Sequence, residues 1–321
     1  MQDYSFLQKL LHDIILGNKI IQKSLFEIEK KIYSKKFNNK IKENKHLFIT
    51  GLPRSGTTAL LNFFYQTNQF ASFTYAEMPF ISSPNIFSRL KPKNNHQKKE
   101  RPHLDGIFVN LESPEAFDEI FFKMFNNQEV HEEIYNFFNL ILINKNKERY
   151  LSKNNINYKR IDKLSFFFKN AFFIIPIREP IQHANSLYNQ HLNFLKIHKQ
   201  NKFAKRYMSY LSHFEFGENH KSWFEPLNFN NFNDPNYWLE QWFIFYKNNY
   251  FKFKNHEKCF FLKYENFNND ILFDKLLKIL DLKMTNNFKF EISKKKVTFE
   301  YDSVLLNKSR DLYNNINDEI F

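Results

Sequence analysis

The chain has 321 residues, 42% of them hydrophobic and 19% aromatic, with one cysteine and a formal net charge of +13. That length and apolar content exclude a disordered chain and suit one large domain or two small ones. The single cysteine, Cys259, excludes an internal disulfide framework and a multi-cysteine metal site, and it fits a reducing, cytoplasmic setting.

Two readings account for the basic surplus. Lys, Asn, Phe and Ile dominate the composition, as A/T-rich codons would produce. A positive surface also attracts anionic nucleotides, nucleic acid or membranes. No arginine-rich tract or RNP-like aromatic motif points to nucleic acid. Apolar runs such as AFFIIPI fall far short of the ~20 residues needed to cross a bilayer.

Along the chain, residues 1–40 repeat apolar side chains at helical spacing: Phe6/Leu7, Leu10/Leu11, Ile14/Ile15, then Ile21, Leu25, Ile28 and Ile32. This predicts a helical extension packed on its own domain, with peripheral membrane contact as the other reading. The start lacks the layout of a signal peptide. The polar stretch SKKFNNKIKENK connects it to a strand, HLFIT, a glycine loop, and a helix beginning TALLNFFYQT. Further strands are predicted at FASFTYAEMPF, RYLSK, AFFIIPI and KCFFLKY. Short apolar strands alternating with helices predict an α/β fold, a parallel sheet flanked by helices, with ligands at the carboxyl ends of the strands. Residues 79–148 and 189–240 break the rhythm and read as insertions over those ends. The whole chain reads as one domain, with the nucleotide-binding core at 46–285 and a C-terminal segment at 286–321.

The glycine loop is LFITGLPRSGTT, Leu47 to Thr58. The Walker pattern requires lysine after the second glycine. Gly51, Gly56 and Thr58 fit that pattern, but Thr57 stands in the lysine position. Only five glycines occur in the chain, so two of them between a strand and a helix are informative. They allow a tight turn that exposes successive N–H groups to an anion. The later strand FFIIPIRE offers no Walker-B aspartate, and the loop's cation has moved to Arg54. A terminal group that needs no divalent metal fits such a loop better than a triphosphate does.

GLPRSGTT resembles the 5′-phosphosulfate loop of sulfotransferases that use 3′-phosphoadenosine 5′-phosphosulfate (PAPS), closest to the tyrosylprotein-type and bacterial forms. A second motif, REPIQHANS, places Arg178 at a strand end and Ser186 eight positions later. It is similar to the family's 3′-phosphate site. A forked guanidinium and a hydroxyl are chemically suited to phosphate. The segment CFFLKYENF is similar to the family's strand with a tyrosine near the nucleotide, here Tyr264. The resemblance implies a PAPS-dependent sulfotransferase that binds the nucleotide through Pro53, Arg54, Ser55, Gly56, Thr57, Thr58, Arg178, Ser186 and Tyr264, with no metal. The family's basic glycine loop near the C-terminus is missing, and Lys308 and Arg310 are possible substitutes.

Sulfuryl transfer needs a base for the acceptor's proton and cations for the leaving phosphate. The resemblance implies Glu77 in TYAEMPF as base and Arg54 and Lys153 as the cations. His103 and Asp105 in RPHLDG compete for the base's role. HEEIY lacks the second histidine of H-E-x-x-H, and no G-x-S-x-G occurs. Carbohydrate, lipid-linked glycan, small-metabolite and peptide acceptors all fit. A kinase-like NTPase and a degenerate anion-binding protein are the alternatives.

Overall fold

The computed structural model describes residues 4–90, 98–100, 108–125, 132–284, 288–294, 296–297 and 299–316. Two helices open the chain, α1 (Phe6–Gly17) and α2 (Lys19–Tyr33). Ser5 and Gln8 cap the first in a reciprocal box, and Asn18 breaks the pair and caps the second. β1 (Leu47–Ile49), α3 (Thr57–Gln66) and β2 (Phe70–Ala71) follow. A short antiparallel pair, β3 (Lys99–Glu100) with β4 (Phe108–Val109), precedes α4 (Glu119–Met124) and α5 (Glu133–Lys145). The rest runs β5 (Arg149–Lys153), α6 (Ile161–Phe167), β6 (Phe172–Ile177), α7 (Pro180–Gln200), α8 (Lys202–Tyr210), α9 (Pro235–Phe253), β7 (Cys259–Lys263), α10 (Asp270–Leu280) and α11 (Ser303–Asn315).

Five strands form one parallel sheet in the order β2-β5-β1-β6-β7. Each predicted strand is present, and the α/β class is as expected. The side chains divide with the two-residue strand period between the sheet's faces. Leu47, Ile49, Phe172 and Ile174 join one cluster with Leu60, Leu61, Phe64 and Leu276 of α3 and α10. Phe48, Phe173, Ile175 and Ile177 join the other, with Phe138, Leu187, Trp242 and Tyr246 from α5, α7 and α9. A strand covered on both faces must be apolar throughout, which is why FFIIPI reads as one unbroken run.

Pro176 within β6 marks where the ligand end of the sheet begins. Phe172 N–H points toward β1 and donates to His46 O at 2.9 Å, while Phe173 N–H points the other way, to Lys258 O at 2.7 Å. Residue 176 therefore faces the side of β1, and a proline there has no N–H to offer. The β1–β6 ladder ends with Thr50 N–H donating to Ile174 O at 3.0 Å, and the chain then turns off at Gly51.

Six histidines shielded from water also support this fold. Burial holds His46, His191 and His220 down to about 4 and His183 to about 3, and it lowers His12 and His198. Each is neutral in the fold and accepts a proton near pH ~6.5 when unfolded. Because the folded pKa is depressed, their stabilising contribution is complete above about pH 6.5 and is lost as pH falls toward 4. The melting temperature should be level near neutrality and fall steadily below about pH 6.5. An unchanged melting temperature down to about pH 4.5 would contradict the neutral assignment.

Candidate active site

The loop between β1 and α3 is shaped by three residues with positive φ: Gly51 at +142°, Arg54 at +72° and Gly56 at +103°. This turns the backbone into a concavity that leads into the N-terminus of α3, where Thr57 and Thr58 start the helix. Gly56 has a second reason to be glycine. A Cβ there would lie 2.7 Å from Phe267 Cε2 and 2.8 Å from Tyr264 Cδ2. Ser55 Oγ donates to Leu52 O at 2.7 Å and closes the turn from within. From α7, His183 Nε2 donates to Pro53 O at 2.8 Å. Its Nδ1 is buried without a partner, as expected of a neutral ring used only as a donor.

Arg178 follows β6 directly and is 5% exposed. Its Nη2 donates to Ser293 O at 2.5 Å and its Nη1 to Arg54 O at 3.5 Å. The guanidinium lies over the Tyr264 ring, 4.9 Å from its centroid. The Nε is buried and has no hydrogen-bond partner. Burial lowers its pKa, with Tyr264, Glu265 and Glu179 opposing the shift. Two side chains of α9 anchor the backbone here: Trp242 Nε1 donates to Arg178 O at 3.2 Å and Tyr246 OH to Pro176 O at 2.8 Å. Glu179 caps α7 by accepting from Gln182 N–H at 2.8 Å, and Pro180 occupies the first turn.

The two motifs meet in space. Arg54 Nε donates to Ser186 Oγ at 3.2 Å, joining the glycine loop to α7. Tyr264 supports the same corner: its OH donates to Glu291 O at 3.0 Å and accepts from Ser293 N–H at 2.9 Å. Ser293 is thus the C-terminal residue tied to Arg178. Lys308 and Arg310 lie exposed on α11.

A polar wall lies beside β5. Lys153, which pairs in register with Ile49, forms an ion pair with Glu115 at 3.4 Å. The other oxygen of Glu115 accepts from Tyr75 OH at 3.0 Å. Glu77 stands two residues beyond Tyr75 with its carboxylate buried. Its Oε2 accepts from Thr74 N–H at 2.6 Å and from Thr74 Oγ1 at 2.8 Å, and its Oε1 pairs with Lys145 at 2.9 Å. Behind Lys153, Asp118 bonds to Ser152, and Glu119 holds Arg160 at 2.8 Å and 2.9 Å. Burial raises Asp118 to about 6. His213 and Glu215 pair at 3.4 Å, and Asn155 Nδ2 donates to Glu215 at 3.1 Å. Burial alone would raise Glu215, but His213 and Asn155 bring it down to about 2.

Arg54, Arg178, Ser186 and Tyr264 therefore share one corner, reached from three separate stretches of sequence. Glu77 and Lys153 each have an ion-pair partner, and the Tyr75–Glu115 bond links their surroundings. His103 and Asp105 lie outside the described residues. Sequence reasoning missed Glu115, His183, Trp242 and Ser293. His183 carried a weak signal, lying between Arg178 and Ser186. Glu115 carried none, as one of 34 acidic residues.

A parallel sheet with a glycine loop after its central strand, opposed by an arginine at the end of the neighbouring strand, defines an α/β protein of the kind whose ligand sites lie at the strands' carboxyl ends. The family model described as Sulfotransferase family matches residues 46–284, and the chain belongs to that family. It is similar in structure to the sulfotransferase STF1 from Mycobacterium tuberculosis H37Rv, with a TM-score of 0.51 at 11% identity over 97% of this chain and 81% of that one. STF9 from Mycobacterium avium gives 0.46 at 12% identity, over 98% and 79%. The likeness to STF1 bears on the fold alone. No curated protein sequence matches the chain.

Gly56→Ala tests the loop geometry. The substitution combines an unfavourable positive φ with contacts under 3 Å to two rings, both inside a packed corner. It should destabilise the protein by about 1–3 kcal/mol in urea titration. An unchanged midpoint would contradict the close packing of Tyr264 and Phe267 on the loop.

Proposed function

We propose that this sulfotransferase uses PAPS to transfer a sulfuryl group to a hydroxyl or amine acceptor, a carbohydrate or small metabolite fitting best. The observation that carries the reading is the direct contact of the two motifs, Arg54 with Ser186 and Arg178 with the Arg54 carbonyl. One nucleotide with phosphates at two positions suits such a junction. The residues fit that nucleotide: Arg178 Nε is a buried donor without a partner, and the glycine loop presents N–H groups beside it.

The loop residues Pro53, Arg54, Ser55, Gly56, Thr57 and Thr58 would hold the 5′ side. Arg178 and Ser186 would hold the 3′-phosphate, with Tyr264 beside them. PAPS supplies, when bound, an activated sulfuryl group on a phosphate leaving group. Arg54 and Lys153 supply positive charge where the leaving oxygen becomes negative. Glu77 accepts the acceptor's proton in this reading, with Lys145 and Thr74 fixing its carboxylate. A second base is favoured by one contact: Glu115 touches Lys153 directly. With no Walker-B aspartate on β6 to complete a metal site, catalysis requires no divalent metal in this reading.

The test is a PAPS transfer assay over an acceptor panel, run with and without EDTA. Equal rates in both are expected, and strict dependence on Mg²⁺ would contradict the metal-free site. Arg54→Ala should lower kcat more than the affinity for PAP, the product nucleotide. Loss of affinity alone would make Arg54 a simple binding residue. Glu77→Gln should lower kcat by ~10²–10⁴-fold with PAP affinity retained. Full activity in Glu77→Gln together with loss in Glu115→Gln would move the base to Glu115.

A further inference from the structure

The N-terminal helices bury Leu16 and Phe26 yet leave much of their apolar surface outermost. A helix on a protein surface normally turns its apolar stripe inward and its polar face to water. In α1, Phe6, Leu7, Leu10, Leu11 and Ile14 are all exposed, from 36% for Leu11 to 81% for Phe6. Their spacing of one, four, five and eight residues from Phe6 puts them on one face. In α2, Ile20, Ile28 and Ile32 repeat at eight and twelve residues and are likewise exposed. Eight of the fourteen exposed large apolar residues among the described residues thus fall between Phe6 and Ile32. That concentration sets this face apart from isolated surface leucines.

Some polar groups of these helices face inward as anchors. Asp13 binds Arg206 at 2.8 Å and Tyr210 OH at 2.8 Å, fastening α1 to α8. Buried Glu29 accepts from the N–H groups of Asn85 and Ile86 and from Asn85 Nδ2. Lys30 bridges α2 to Glu133 of α5 at 2.8 Å. The helices are therefore fixed to the body by these polar contacts together with Leu16 and Phe26, which join the main core, leaving the apolar residues from Phe6 to Ile14 outermost. Charge surrounds that stripe. Residues 4–45 carry ten lysines and four carboxylates. Three of those carboxylates are committed, Asp13 and Glu29 to the contacts above and Glu27 to Lys30. Lys23, Lys31, Lys35 and Lys36 are exposed.

We propose that this face seats the protein on an anionic lipid surface, with Phe6, Leu7, Leu10 and Ile14 entering the headgroup boundary and the lysines meeting lipid phosphates. An apolar helical stripe edged by lysines has the chemistry of an interfacial helix. A second copy fits less well, because pairing two such faces would bring like-charged rims together. No helix among the described residues is long and apolar enough to cross a membrane, so the contact is peripheral. The proposal does not depend on the reading of the sulfuryl-transfer site.

The test is co-sedimentation of the full chain with phosphatidylcholine vesicles, with and without phosphatidylglycerol. Binding should be at least ~10-fold stronger to the anionic vesicles and should weaken as salt is raised. A Leu7→Gln/Leu10→Gln/Ile14→Gln variant should lose ~10-fold or more of that binding. Its melting temperature should be unchanged, because those side chains are already exposed. An independent Ile20→Gln/Ile28→Gln variant should weaken binding in the same direction. Failure of the wild-type chain to sediment with anionic vesicles, or equal binding by the triple variant, would overturn the proposal. So would a wild-type dimer that the triple variant converts to monomer, since a second copy would then cover the face.

Discussion

The Arg178 guanidinium is the constraint around which the site is organised. It is buried at the end of β6, where Pro176 has ended pairing with β1, and its carbonyl is held by Trp242. Its side chain reaches the glycine loop at Arg54 O, the C-terminal segment at Ser293 O and the Tyr264 ring. A buried cation is costly unless negative or carbonyl partners surround it. Those three contacts satisfy part of that demand and leave Nε available. The site therefore holds a buried cation with one donor unmet, in contact with the glycine loop at Arg54 O.

The rest of the corner follows from keeping that cation in place. Gly56 leaves space for Tyr264 and Phe267, Tyr264 fixes Ser293, and His183 supports the loop from α7. On the far side of β1, Lys153 pairs with Glu115 and Glu77 with Lys145, while Asp118 bonds to Ser152 and Glu119 to Arg160. One side of the loop is thus cationic and the other holds paired acids and bases. That asymmetry suits a reaction in which an anion leaves on one side and a proton is taken on the other.

The sheet was legible because strands covered on both faces are continuously apolar and are separated by polar runs and helical periodicity. The loop was legible because its glycines stand between a strand and a helix, and Arg178 was singled out by the resemblance of its motif; the structure brings the two into contact. Packing partners were not. Nothing local in the sequence shows that Glu115 will meet Lys153, 38 residues away, or that Ser293 will meet Arg178 across 115 residues. The N-terminal stripe illustrates a different limit. Periodicity revealed an apolar face, and its spacing predicted packing onto the body. In the structure the residues that face inward include His12, Gln22 and Glu29, while much of the apolar stripe faces outward. A helical repeat gives the angle between faces but does not say which one turns toward the core.

The central claim is that Arg178 reads a 3′-phosphate. Calorimetric titration of wild-type protein and Arg178→Ala with PAP and with AMP, which lacks that phosphate, tests it most directly. The account predicts that wild-type protein binds PAP ~10-fold or more tightly than AMP. Arg178→Ala should lose about 2 kcal/mol of PAP affinity and bind AMP almost unchanged. Equal wild-type affinity for the two nucleotides, or an equal loss of both in Arg178→Ala, would contradict it.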